Sequence, residues 1–128
     1  MMVKKLMFFT FPFYFVRKNL YLGISEFSKF LSGSILDFGC LANPYMVIFT
    51  ICTNYVGMDI ETSGHDHNNE MIDVYYDGKN IPFEDESFDN VFSSEVFEHL
   101  DNPRLIISEI YRLIKKVVFT CYSTFCLE

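Results

Sequence analysis

Short apolar runs alternate with amphipathic stretches along this chain, and the alternation predicts an α/β domain. Leu20, Ile24, Phe27 and Leu31 recur at the spacing of one helical face, so a helix is expected over about Asn19–Leu31, with Gly33 at its stop. A first strand, Ile35-Leu36, closes on Asp37 and turns at Gly39. Asn43 and Pro44 then offer an N-cap and a first helical position, so Met46–Thr53 reads as a short helix, although its β-branched residues also suit a strand. Tyr55–Ile60 reads as a second strand and Thr62–Asn69 as a polar loop. Met71–Tyr76 reads as a third strand, closing on the turn Asp77-Gly78, and Phe88–Ser94 as a fourth. Between them, Glu84-Asp85-Glu86 reads as a solvated face. The clearest helix follows: Asp101 or Asn102 caps it, Pro103 takes its first turn, and Ile106, Ile110, Leu113 and Ile114 share a face. Arg112, Lys115 and Lys116 gather at its C-terminal end, where the helix dipole favours cations. Val117–Tyr122 reads as a fifth strand. Strands alternating with helices imply a Rossmann-like, mostly parallel sheet of about five strands with flanking helices.

Composition narrows the picture. With 128 residues, half of them hydrophobic, the chain is one domain with material for a core. A net charge of -7 argues against nucleic acid as the partner and suits a small or neutral one. Cys40, Cys52, Cys121 and Cys126 form no C-x-x-C pair and read as reduced thiols, in keeping with a cytoplasmic protein. Lys4 and Lys5 before the run Leu6–Val16 mimic an export signal, but Pro12 interrupts the run and Arg17-Lys18 follow it where a cleavage site belongs. The run is too short to span a bilayer. Residues 1–18 are therefore expected to form an apolar arm on an α/β domain of residues 19–128.

In parallel sheets, ligands bind beyond the carboxyl ends of the strands. Asp37, Asp59 and Asp77 fall at three such ends, and Ser93, Ser94 and Glu95 at a fourth. Asp59 lies 22 positions after Asp37, near the ~20-residue spacing of an acid that holds a ribose. Asp77 is placed to accept from an exocyclic amine of an adenine. Each acid alone equally caps a turn; only the set points to a ligand. His65-Asp66-His67, with Asp59 or Asp73, reads as well as a polar surface loop as it does as a metal site, and no metal is assigned. Cys40 reads as a small buried thiol. A nicotinamide dinucleotide fold fits poorly, because Leu41 and Pro44 stand where G-x-G-x-x-G needs glycines.

Leu36-Asp37-Phe38-Gly39-Cys40, Tyr55-Val56-Gly57-Met58-Asp59, Ile81-Pro82-Phe83 through Ser87-Phe88-Asp89, Glu98-His99-Leu100 and Glu109-Ile110-Tyr111-Arg112-Leu113 together resemble the class I S-adenosylmethionine-dependent methyltransferases, type-11 group. The resemblance runs from about Ser25 to Lys116. It implies S-adenosyl-L-methionine as cofactor. Asp37 and Gly39 would lie at its methionine end, Asp59 at the ribose, and Asp77 and Gly78 at the adenine, with Cys40 and Ile60 also among the cofactor-binding residues. Ser94 and Glu95 would face cofactor or acceptor. No catalytic base transfers by motif, and His99 reads as readily as a packing or loop residue. The acceptor, whether a small molecule or a glycan- or lipid-type compound, is left open. Two departures stand out. Leu41 replaces a glycine that lets backbone approach the ligand, which is expected to weaken binding. Five strands stand where the family has seven, which implies a C-terminally truncated relative whose last strand is an exposed edge open to self-association. These departures keep a second reading alongside methyl transfer: a non-catalytic remnant or interaction module.

Overall fold

The structure is a computed structural model that describes residues 17–41, 45–61 and 72–115, together with the backbone of 119–122. Helix α1 (residues 17–28) leads into strands β1 (Gly33–Phe38) and β2 (Cys52–Ile60). Strands β3 (Val74–Tyr76) and β4 (Asn90–Ser94), helix α2 (Pro103–Leu113) and strand β5 (Phe119–Tyr122) complete the order. The five strands form one sheet, β3-β2-β1-β4-β5, and every pairing is parallel.

The sheet is central because its strands are apolar on both faces. Alternation along each strand sends neighbours to opposite sides. Ile35 and Phe92 pack toward α1 with Leu20, Ile24, Leu31, Ile48 and Phe49. Leu36, Phe38, Met58 and Val91 pack toward α2 with Ile106, Ile110 and Leu113. The α2 start is as the sequence predicts: the Asn102 side chain accepts from Leu105 N–H, and Pro103 opens the helix.

Several boundaries differ from expectation. Helix α1 stops at residue 28, where Phe30 and Leu31 amides turn back to the Phe27 and Ser28 carbonyls. Gly33 opens β1 with φ +83 instead of ending a helix, and Asp89 lies against its α-carbon. The expected helix over Met46–Thr53 reduces to a single 3-10 turn, Met46–Ile48, because β2 already begins at Cys52. The expected Asn43–Pro44 cap, residues 1–16 of the expected arm and the His65-Asp66-His67 loop lie outside the described residues, while Arg17 and Lys18, expected in the arm, belong to α1. Among the described residues no cluster of His, Cys, Asp or Glu could hold a metal, and Asp73 instead accepts from Gly57 N–H at 2.7 Å. No described helix is long and apolar enough to cross a membrane.

Candidate functional site

Asp37, Asp59 and Ser94 share strand parity with Ile35, Tyr55 and Phe92, so all three face the α1 side of the sheet at its carboxyl edge. A cavity of about 890 Å³ opens there, lined by the ends of β1, β2 and β4, the turn after β1 and one face of α1. Its volume lies in the upper part of the ~300–1,000 Å³ range of small-molecule sites.

The turn after β1 is laid onto the tip of β2 by its own amides. Gly39 N–H and Cys40 N–H both point to the Met58 carbonyl, at 2.8 and 3.1 Å. Leu41 N–H reaches the Asp59 carboxylate at 2.9 Å, and Ile60 N–H bonds the other oxygen at 2.7 Å. Asp59 is therefore held rigidly while each oxygen keeps a lone pair for a further donor. Gly39 has φ +76, and a β-carbon there would lie 2.3 Å from a Val96 methyl, so the turn and the segment after β4 meet only because this residue is glycine. Leu41 adopts φ +46 and Glu95 φ +57, so two of the three non-glycine residues in left-handed geometry border the cavity. The Leu41 side chain, 51% exposed, stands at the cavity wall.

Asp37 is the most unusual group. Its carboxyl is 2% exposed and accepts a short hydrogen bond from the Tyr55 hydroxyl. Burial drives its pKa up to about 7; the Tyr55 bond opposes the rise and the Asp59 charge adds to it. The same burial, with Asp37 as neighbour, raises the Tyr55 phenol. Burial also pushes the Cys40 thiol well up, helped by Asp37 and Asp59, so Cys40 is a filler and not a nucleophile. Tyr76, at the β2–β3 side of the cavity, is raised to about 12 by burial and by Asp59.

Of the expected site residues, Asp37, Gly39, Cys40, Asp59, Ile60, Ser94 and Glu95 line this one cavity. Asp77 and Gly78 do not. The Asp77 carboxylate folds back on its own turn, accepting from Lys79 N–H, Asn80 N–H and the Asn80 amide. Those backbone bonds lower its pKa, the signature of a turn cap. The expected convergence of three carboxylates is thus a convergence of two, with the third turned into a local hairpin of bonds beside the Ile60 wall. Arg17, Tyr21, Tyr45, Tyr76, Val96 and Glu98 line the cavity without having been singled out as site residues. Arg17 and Tyr21 carried a signal, since they stand four apart on the turn that buries Leu20 and Ile24.

The signature segments at the opposite end of the sheet are structural. Asp89 accepts from Ser34 N–H and Ser34 Oγ, each at 2.8 Å, and pairs with Lys115 at 3.3 Å. Arg112 donates to the Ile81 and Phe83 carbonyls and pairs with Glu109 and Asp85. This clamps the Ile81-Pro82-Phe83 connector to α2.

Comparison with known proteins agrees with this geometry. Residues 36–119 match the family model described as methyltransferase domain. The chain belongs to that family. Among solved structures, it is similar to a protein of Bacillus halodurans C-125 classed as a methyltransferase, at 26% identity and TM-score 0.53, covering 65% of this chain and 40% of the other. It also resembles a SAM-dependent methyltransferase of Thermotoga maritima, at 22% identity and TM-score 0.60, covering 88% and 55%. The [4+2]-cyclase SpnF has the same fold, at 20% identity and TM-score 0.55, covering 72% and 40%. This chain therefore spans about half or less of the length of these neighbours. No curated protein sequence matches it.

Proposed function

We propose that this domain binds S-adenosyl-L-methionine in the cavity at the carboxyl ends of β1, β2 and β4 and serves methyl transfer from it to an acceptor. The observation that carries the reading is the rigid Asp59 carboxylate, fixed by two amides with acceptor capacity to spare, one strand away from the glycine turn of β1. That carboxylate suits two neighbouring ribose hydroxyls. The cofactor, when bound, supplies an electrophilic sulfonium methyl. Asp59, Glu95 and Glu98 make the cavity acidic, which attracts a sulfonium and repels the pyrophosphate of a dinucleotide. Gly39 lets the β1 turn close against Val96 at the cavity wall. The chain's contribution to rate is then alignment of the acceptor with the methyl group.

Leu41 supports a second reading, a domain that has lost its cofactor. A leucine in left-handed geometry projects at the wall where the family carries glycine. SpnF also illustrates that one fold hosts different chemistries. Titration calorimetry with S-adenosyl-L-methionine separates the two. Binding by the wild type, weakened about 10-fold or more in Asp59→Ala, supports the first reading. Binding that appears only in Leu41→Gly supports the second, and binding by neither protein removes the cofactor assignment.

A further inference from the structure

The floor of the cavity carries an acid with no cation set against it. Asp37 lies on the central strand, opposite Gly57 of β2 and Phe92 of β4. Phe38 pairs with Met58 and with Ser93, so Asp59 and Ser94, the next residues on, flank the cavity two strand spacings apart, roughly 10 Å. Asp37 sits between these flanks and two residues deeper. A ligand that reaches from Asp59 to the end of β4 therefore passes over it. Its carboxyl is 2% exposed, and the donor that reaches it is the uncharged Tyr55 hydroxyl, from the neighbouring strand. Cys40, Tyr45 and Tyr55 all feel the Asp37 charge, and burial raises each of them, so they stay neutral near pH 7. The charges nearby are Asp59 on β2, Glu95 and Glu98 after β4, and Arg17 on α1. Asp73 lies further off, bonded to Gly57 N–H. Burial holds the Asp37 pKa up to about 7, with the Tyr55 bond opposing the rise and Asp59 adding to it.

Resting on the cofactor reading above, we infer that Asp37 tells the charged cofactor from its neutral product: it keeps a proton while the cavity is empty or holds the thioether, and releases it when the sulfonium enters. The logic is compensation of charge. A carboxylate buried without a cation is unfavourable, and a sulfonium in the same dry space supplies the missing charge. The acid O–H then breaks and its proton leaves to solvent. Methyl transfer removes the positive charge from sulfur, so the carboxylate takes a proton back and its attraction for the ligand is lost. Asp37 thereby sets specificity, favouring cofactor over product more strongly as pH rises.

Titration calorimetry with S-adenosyl-L-methionine and with S-adenosylhomocysteine, in two buffers of different ionisation enthalpy, tests this. At pH 7 the wild type is expected to release about half a proton on binding the sulfonium and little on binding the thioether. The sulfonium lowers the Asp37 pKa, so its affinity grows as pH climbs through 7 and levels off above it. Its advantage over the thioether should rise about 10-fold from pH 6 to pH 8. Asp37→Asn should abolish both the proton release and the rise. Tyr55→Phe removes a bond that favours the charged carboxylate, so the rise should move to higher pH. His99 also lines the cavity, and imidazole is the commonest proton acceptor near neutrality, so His99→Gln is the control and should keep the linkage. Equal proton release with both ligands, a preference that ignores pH, or a linkage that survives Asp37→Asn or disappears in His99→Gln overturns the proposal. A wild type that binds neither compound overturns the cofactor reading itself, which is a different failure.

Discussion

The two ends of the sheet treat polar side chains in opposite ways. At the amino end of β1 and β4, Asp89, Arg112 and Glu109 all have partners. Asp89 holds Ser34 and Lys115, Arg112 holds two carbonyls and two carboxylates, and both Asp89 and Glu109 have pKa values lowered by those bonds. At the carboxyl end, Asp37 is buried with its pKa raised, and Leu41 and Glu95 are held in left-handed geometry. Ser93 Oγ, fully buried on β4, has no hydrogen-bond partner among the described residues. The first end is built for stability. The second holds unfavourable groups in place, which is the usual mark of a site that a ligand completes. Both ends carry family signature residues, so membership of a motif does not by itself say whether a residue staples or binds.

That contrast is sharpest in its pH dependence. Asp37 has a folded pKa near 7 against an ordinary 3.8, so its contribution to stability is present in full below about pH 4 and is lost as pH rises through 7. Asp37→Asn should gain stability over the wild type as pH rises from 4 to 8, by a difference on the order of 4 kcal/mol. Urea unfolding at several pH values reads this, and a difference independent of pH would place Asp37 among the satisfied groups. Next in size is the stapled end. Gly33→Ala sets a β-carbon 2.5 Å from Asp89 Oδ2 at φ +83, and a loss of about 3 kcal/mol is expected in the same assay. An innocuous substitution would mean that Asp89 is not held tightly there. Leu41→Gly should stabilise the domain by about 0.5–1 kcal/mol, since relief of the left-handed backbone outweighs the added entropy of glycine. Destabilisation would show that the leucine side chain has a packing role. Smallest is Asp77→Ala, which should lower the melting temperature slightly and leave affinity for S-adenosyl-L-methionine unchanged. A clear loss of affinity would return Asp77 to the adenine.

The sheet was legible because each strand is a short apolar run ending in an acid or serine, and because Asn102-Pro103 marks α2 without ambiguity. Asp37 and Asp59 were legible as cavity residues for the same reason: parallel strands put their last polar residue at one edge. Asp77 reads both ways in the sequence because a turn cap and a ligand acceptor need the same residue in the same position; in the structure its carboxylate takes the Lys79 and Asn80 amides and does not line the cavity. The Met46–Thr53 segment was misread because the Asn43–Pro44 signal upstream predicts a longer helix than the single turn that fits before β2 begins at Cys52. Arg17 and Tyr45 could not be read at all as lining one cavity, because that depends on α1 and the segment after β1 covering the same face of the sheet, a tertiary fact.

Ser34 and Asp89, which staple β1 to the strand beside it, are 55 residues apart in the chain. The central strand therefore has one neighbour supplied early, by β2, and the other only after most of the domain has been synthesised. Closing so long a loop before any contact rewards it is slow. During translation the β4-facing side of Ile35–Phe38 stays unpaired until residue 90 leaves the ribosome, and that interval is when this protein is most exposed to aggregation.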